Sequence, residues 1–327
     1  MKIIDVSILV PREALLASIL DPRQMFVSVN DFLKQAGKPA MFNVQLVGLT
    51  KNVKLFNDQF TVHTDSVLEE VKKTDLIFVP ALRGDMQTAL KMNQDFISWI
   101  VKQYEAGASA ASLCVGAFLL AATGLLNGKK CSTHWTSAKE FQEMFPDVTL
   151  IDDKIISEEN GLYSSGGANS YWNLLLHLVE KYTDRETAIL ASKFFAIDFG
   201  RQTQLEFNLF QGQKGHEDDA VRKAQDFIEI HFKEKFTVDQ LSSRFGVGRR
   251  SFERRFKKAT RTTVIEYIQH IKVEAAKKNF ESGRKTINEV MYDVGYSDTK
   301  AFRGVFKKIT GMSPIEYRSK YNKETLG

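Results

Sequence analysis

Two hydrophobic rhythms divide this chain. Up to about residue 200, short apolar and β-branched runs alternate with longer amphipathic stretches. The runs Ile3 to Val10, Val44 to Leu49, Leu76 to Pro80 and Ser109 to Val115 have the length and residue types of buried strands. Between and after them, Leu15 to Ala36, Asn93 to Ala106, Gly116 to Leu126 and Tyr171 to Val179 carry apolar residues at helical spacing. This alternation predicts an α/β domain, a mostly parallel sheet sandwiched by helices. Ligands in such folds bind outside the carboxyl ends of the strands. Three segments fall there: Pro11-Arg12-Glu13, the Pro80 to Asp85 loop with Arg83, and the turn at Cys114.

Beyond residue 200 the rhythm is helical, and it repeats. Arg249 to Tyr267 (RRSFERRFKKATRTTVIEY) and Thr299 to Tyr317 (TKAFRGVFKKITGMSPIEY) share eight of nineteen positions. Upstream the match continues at an offset of forty-nine, pairing Gly246 with Gly295. A hydroxyl residue followed three later by Glu or Gln, the capping-box signature of a helix start, occurs at Thr237, Thr263, Thr286 and Ser313. Gly246 and Gly295 stand where a helix must end in a sharp turn. After each turn, Phe252/Phe256 and Phe302/Phe306 lie four apart, so each pair shares one helix face and can pack inward. The expected arrangement is an all-α domain with two helix-turn-helix units.

The outward positions are polar and basic. In the first copy they are Arg249, Arg250, Ser251, Glu253, Arg254 and Lys257, with Lys258 behind; in the second, Thr299, Lys300, Arg303 and Lys307, with Lys308 behind. Early positions on such a helix suit base edges, and the later lysines suit phosphate. Charge agrees. From His216 onward there are 24 Lys+Arg against 16 Asp+Glu, while the preceding residues carry 21 against 24. The positive excess sits wholly in the repeat, as a double-stranded DNA partner requires.

Residues from about 220 to 321 resemble the DNA-binding domain of AraC-family transcription regulators, with Asp293 to Tyr317 (DVGYSDTKAFRGVFKKITGMSPIEY) carrying the signature. The resemblance implies a long helix joining the two units, here Val264 to Ser282, with Ile265, Ile268, Ile271, Ala275 and Phe280 as its apolar side. One position departs. The family usually has Arg where this chain has Gly304, which removes a DNA contact and about 1 kcal/mol of helix propensity. The expected domains are 1–199, a linker over 200–219, and 220–327.

Cys114 is the sharpest chemical candidate in the first domain. The run Ala110-Ala111-Ser112-Leu113-Cys114-Val115-Gly116-Ala117 passes from strand to helix through small residues, as a nucleophile elbow demands. A thiol at a helix N-terminus can have a depressed pKa. Twenty residues on come His134 and Trp135. Residues 1 to 190 resemble the PfpI-like branch of the class I glutamine amidotransferase-like superfamily. Joined to an AraC-type domain, this looks like the GlxA group, whose sensor domain has an amidase-like fold but is generally not known to be enzymatic. PfpI-like hydrolases place His directly after the nucleophile, where this chain has Val115, and an ungapped alignment puts Ala17 at the place of their Glu after the first strand. Cys114 and His134 then read as vestiges of a catalytic set, with no assured base to activate the thiol. Cys114 reads either as a buried turn residue or as a ligand-contacting or redox-sensing thiol.

The expectation is a cytoplasmic, sequence-specific transcription regulator binding promoter or operator DNA and not an enzyme. Its first domain would sense a small-molecule effector at Glu13, Arg83, Cys114 and His134. A homodimer and contact with the transcription machinery are implied by the resemblance. The competing reading is a thiol-dependent amidase, peptidase-like or glyoxalase-like enzyme fused to a DNA-binding domain. No cofactor or metal is expected, since neither Cys has a partner at metal-ligand spacing, and no apolar run is long enough to span a membrane.

Overall fold

The computed structural model describes residues 3–151, 154–198, 205, 210 and 212–322. The chain divides into two compact units, Met1–Gln204 and Leu205–Gly327.

In the first unit the strands are β1 (Ile4–Val10), β2 (Phe42–Gly48), β3 (Asn52–Leu55), β4 (Phe60–His63), β5 (Ser66–Val67), β6 (Leu76–Val79), β7 (Ser109–Ser112), β8 (Lys130–Cys131), β9 (Thr149–Leu150), β10 (Ile156–Glu159) and β11 (Leu162–Ser165). Its helices are α1 (Leu16–Gln35), α2 (Met86–Met92), α3 (Gln94–Glu105), α4 (Ala117–Ala122), α5 (Ala138–Met144), α6 (Tyr171–Tyr182) and α7 (Arg185–Phe194). Seven strands form one sheet in the order β10-β11-β7-β6-β1-β2-β5. All its pairings are parallel except β10 with β11. Side chains alternate across a strand, so Val6, Ile8 and Val10 of β1 join the layer under α1, α6 and α7. Leu9 faces the opposite layer with α2, α3, α4 and α5. The sheet sandwiched by helices is as the alternation predicts.

The backbone departs from expectation at the end of β7, for a physical reason. β7 stops at Ser112 instead of Val115, because Cys114 adopts φ +55° and ends the extended backbone. A single tight turn, Cys114–Gly116, then precedes α4. Ser164 and Ser165 end β11, and Asn160-Gly161, both at positive φ, closes the β10–β11 hairpin.

The second unit is helical: α8 (Asp219–His231), α9 (Val238–Arg244), α10 (Arg249–Thr260), α11 (Val264–Ser282), α12 (Ile287–Asp293), α13 (Thr299–Thr310) and α14 (Pro314–Tyr321). All four expected capping boxes form, at Thr237, Thr263, Thr286 and Ser313. Phe252, Phe256 and Tyr267 close one core with α8, and Phe302, Phe306, Phe280 and Tyr317 close the other. The apolar side of α11 differs from expectation. Ile265 is 58% exposed, while Val264, Tyr267, Val273, Ala276 and the stems of Lys272 and Lys277 are buried. One helix serves two cores, so its buried stripe changes face midway. Of the expected linker, residues 200–204, 206–209 and 211 lie outside the described residues. Further along, Lys214 pairs with Asp226 and Glu229, and His216 with Gln225, so that stretch packs on the second unit.

Phe26 tests the first core. It is fully buried, with the Phe42 ring 4.7 Å and the Phe78 ring 5.5 Å from its own. Phe26→Ala should cost about 3–5 kcal/mol in a denaturant titration of the first unit's transition, and a loss under about 1 kcal/mol would contradict this packing.

Candidate functional site

The candidate DNA face arises from what each second helix buries. Phe252, Phe256 and Thr260 of α10, and Phe302, Phe306 and Thr310 of α13, point into their cores. The opposite stripes are left to solvent: Arg249, Arg250, Glu253, Arg254, Lys257 and Lys258 on α10, and Lys300, Arg303, Lys307 and Lys308 on α13. Ser251 and Thr299, near the starts of these helices, are half-buried. The left-handed turn residues Gly246 (φ +67°) and Gly295 (φ +75°) end α9 and α12 and let the second helix start. Two charges are already engaged. Arg249 donates to Asp239 at 2.8 Å and lies 3.6 Å from Glu253. Arg255 makes two bonds to Asp218, at 2.7 and 2.6 Å, tying α10 to the cap of α8 and holding the Asp218 carboxyl below its usual range. Gly304 is exposed, with open space where a Cβ would lie.

In the first unit the expected ligand residues separate into two groups. Glu13, at φ +60°, lies 3.4 Å from the Arg83 guanidinium, and the Arg83 backbone N–H donates to the Glu13 carbonyl. Arg83 also stacks on the Phe56 ring. Beside them a cleft of about 300 Å³ opens at the carboxyl ends of β1 and β2, lined in part by Arg12, Glu13, Asn52, Lys54 and Asp58. Cys114 is not among its lining residues.

Cys114 sits in a strained, buried elbow. Its φ of +55° is uncommon for a residue with a Cβ. Gly116 is required behind it, because a Cβ there would lie 2.4 Å from the Val79 carbonyl oxygen and 2.5 Å from that of Pro80. Burial pushes the thiol up to about 11, against a small opposing pull from the Val115 N–H. The His134 ring bonds to Thr136 at 2.7 Å and stacks on Trp135, while burial lowers its pKa. It is the preceding Thr133 that reaches Cys114, donating to its carbonyl at 3.2 Å. Ala17 is exposed, and the inward residue is Ser18, whose hydroxyl accepts from the Ala81 N–H.

Sequence reasoning missed a pair near the elbow. The Tyr171 hydroxyl donates to the Asp21 carboxylate at 2.5 Å, and a charged Cys114 would be close enough to raise Tyr171 further. Burial raises the Asp21 carboxyl, and this bond pulls it part-way back. The two residues are 150 apart, so only the fold reveals them.

Residues 22–181 match the DJ-1/PfpI family, and residues 241–320 match a helix-turn-helix domain family. The transcriptional regulators GbdR and CdhR of Pseudomonas aeruginosa are similar along both units. GbdR is 22% identical over 80% of this chain and 71% of its own, and CdhR 23% over 81% and 78%. This chain is an AraC-family transcription regulator with a DJ-1/PfpI domain. A THiJ/PfpI family protein from Pseudomonas syringae shares the fold, with a TM-score of 0.51 and 17% identity over 71% of the regulator and 87% of its own chain.

Two measurements probe these sites. A thiol at about 11 is almost wholly protonated near pH 8, so iodoacetamide should alkylate the folded regulator at least about a hundredfold slower than a free cysteine. Mass spectrometry showing ordinary reactivity at Cys114 would contradict the buried elbow. Gly304→Ala should raise the stability of the second unit by about 1 kcal/mol in denaturant unfolding, since the added Cβ meets nothing; a destabilised variant would mean that the site is crowded.

Proposed function

We propose that α10 and α13 read base edges in successive major-groove segments of one duplex, through Arg250, Arg254 and Glu253 on the first and Lys300 and Arg303 on the second. Lys257 and Lys307 anchor phosphate, and Ser251 and Thr299 stand near the helix starts. The observation that carries this reading is the pair of duplicated helices, each burying two phenylalanines and turning its basic stripe outward. Arg249 joins the contact once it gives up Asp239.

The first unit, in this reading, is a non-catalytic sensor. A neutral thiol with no base bonded to it among the described residues supports that role over the hydrolase alternative. The effector is a small polar metabolite held at the cleft beside the Glu13–Arg83 pair, which Arg12, Glu13, Lys54 and Asp58 line with both signs of charge. The regulator works in the cytoplasm as a homodimer of the GlxA type and presents bound DNA to the transcription machinery. No helix among the described residues is long and apolar enough to cross a membrane.

On a duplex enriched from a random pool, Arg254→Ala should weaken binding by about 1–3 kcal/mol while leaving scrambled DNA nearly unaffected. Lys257→Ala should weaken both alike and flatten the salt dependence. Equal losses on both duplexes for Arg254→Ala would contradict the assigned reading face. Sedimentation at micromolar concentration should give a dimer, and a monomer would overturn that part.

A further inference from the structure

The duplicated turn glycines are not equivalent. At Gly246 a Cβ would meet nothing within 4 Å, so only the left-handed backbone calls for glycine. At Gly295 a Cβ would lie 2.2 Å from the Lys233 carbonyl oxygen and 2.9 Å from Lys272 Nζ. The second turn is therefore pressed against backbone from the first helix-turn-helix unit. Three further contacts converge on this place. Lys272, buried in the middle of α11, donates to the Gly295 carbonyl at 3.2 Å and lies 5.2 Å from the Tyr296 ring. Lys235 reaches Ser297 at 3.3 Å. Phe232, from the segment between α8 and α9, packs against the core of the second helix-turn-helix.

A buried ammonium is costly unless its hydrogen bonds are made, and burial depresses the Lys272 pKa, with Lys235 adding to the effect. Lys272 stands where α11 passes from serving the first helix-turn-helix core to serving the second. The carbonyl it holds belongs to the turn that launches α13 four residues later, at Thr299. A single connecting helix leaves its two ends free to bend and twist. A second point of contact between the two helix-turn-helix units removes that freedom.

We propose that the junction of Lys233, Lys272 and Gly295 fixes the separation and angle between α10 and α13, and thereby the number of base pairs between the two halves of the DNA sequence the regulator reads. Lys272 and Gly295 are positioning residues, since neither lies on the outward stripe of α10 or α13. The inference rests on the reading of both helices as DNA contacts.

The test is selection from a random-sequence duplex pool with the full-length chain, comparing wild type, Lys272→Met, Gly295→Ala and Gly246→Ala. Wild type should enrich a two-part motif with one gap. Lengthening that gap by two base pairs should weaken binding about tenfold or more, because rigidly linked sites lose simultaneous engagement when geometry forbids it. Lys272→Met and Gly295→Ala should enrich the same two parts with a spread of gaps and shrink the lengthening penalty to about threefold or less. Gly246→Ala, which strains the equivalent turn without touching the junction, should keep the single gap at reduced affinity. A single unchanged gap in both junction variants, or a wild type indifferent to gap length, overturns the inference alone. A one-part motif from wild type overturns the tandem reading beneath it. Should Gly295→Ala fail to fold by circular dichroism, Lys272→Met and the gap series on wild type still decide the matter.

Discussion

Burial of four phenylalanines governs the DNA-binding half. Phe252 and Phe256 on α10, and Phe302 and Phe306 on α13, are fully enclosed, and each pair fixes the rotation of its helix about its own axis. Apolar burial is non-directional, but two rings one turn apart on a helix leave one orientation that hides both. The opposite stripe must then face solvent, and its sequence is basic. Presentation of charge is a consequence of core packing here, and Arg255 shows the boundary: placed at the edge of the stripe, it turns back to Asp218 and serves the fold.

In the first unit the same logic runs in reverse. The elbow keeps the geometry associated with a nucleophile, with Cys114 at positive φ and Gly116 admitting the close backbone approach. Its electrostatics oppose nucleophilic use. Burial raises the thiol instead of lowering it, and the Asp21 carboxylate is engaged by Tyr171. The DJ-1/PfpI domain thus carries the elbow with its thiol buried and protonated near neutral pH.

The sequence made some of this legible and hid the rest for identifiable reasons. Local chemistry carried far: four capping boxes formed as written, and α11 runs from Val264 to Ser282 because Thr263 caps one end and Gly283 closes the other. The central strand β6 was readable since, buried on both faces, its run from Leu76 to Val79 is continuously apolar. The β10–β11 hairpin was missed although Asn160-Gly161 announces it. The inward face of α11 was misjudged at Ile265 because one helix packs on two cores and no single period describes it. Contacts distant in sequence had no local signal: Glu13 with Arg83, Tyr171 with Asp21, and Lys272 with the Gly295 turn.

Two helix-turn-helix units presented together imply a specific footprint. Hydroxyl-radical cleavage of an enriched duplex bound by the full-length chain should show two protected segments on one face of the DNA, centred about 10 base pairs apart for each bound second unit. A single protected segment per unit, or segments on opposite faces of the helix, would contradict the account of α10 and α13 as paired readers of one duplex.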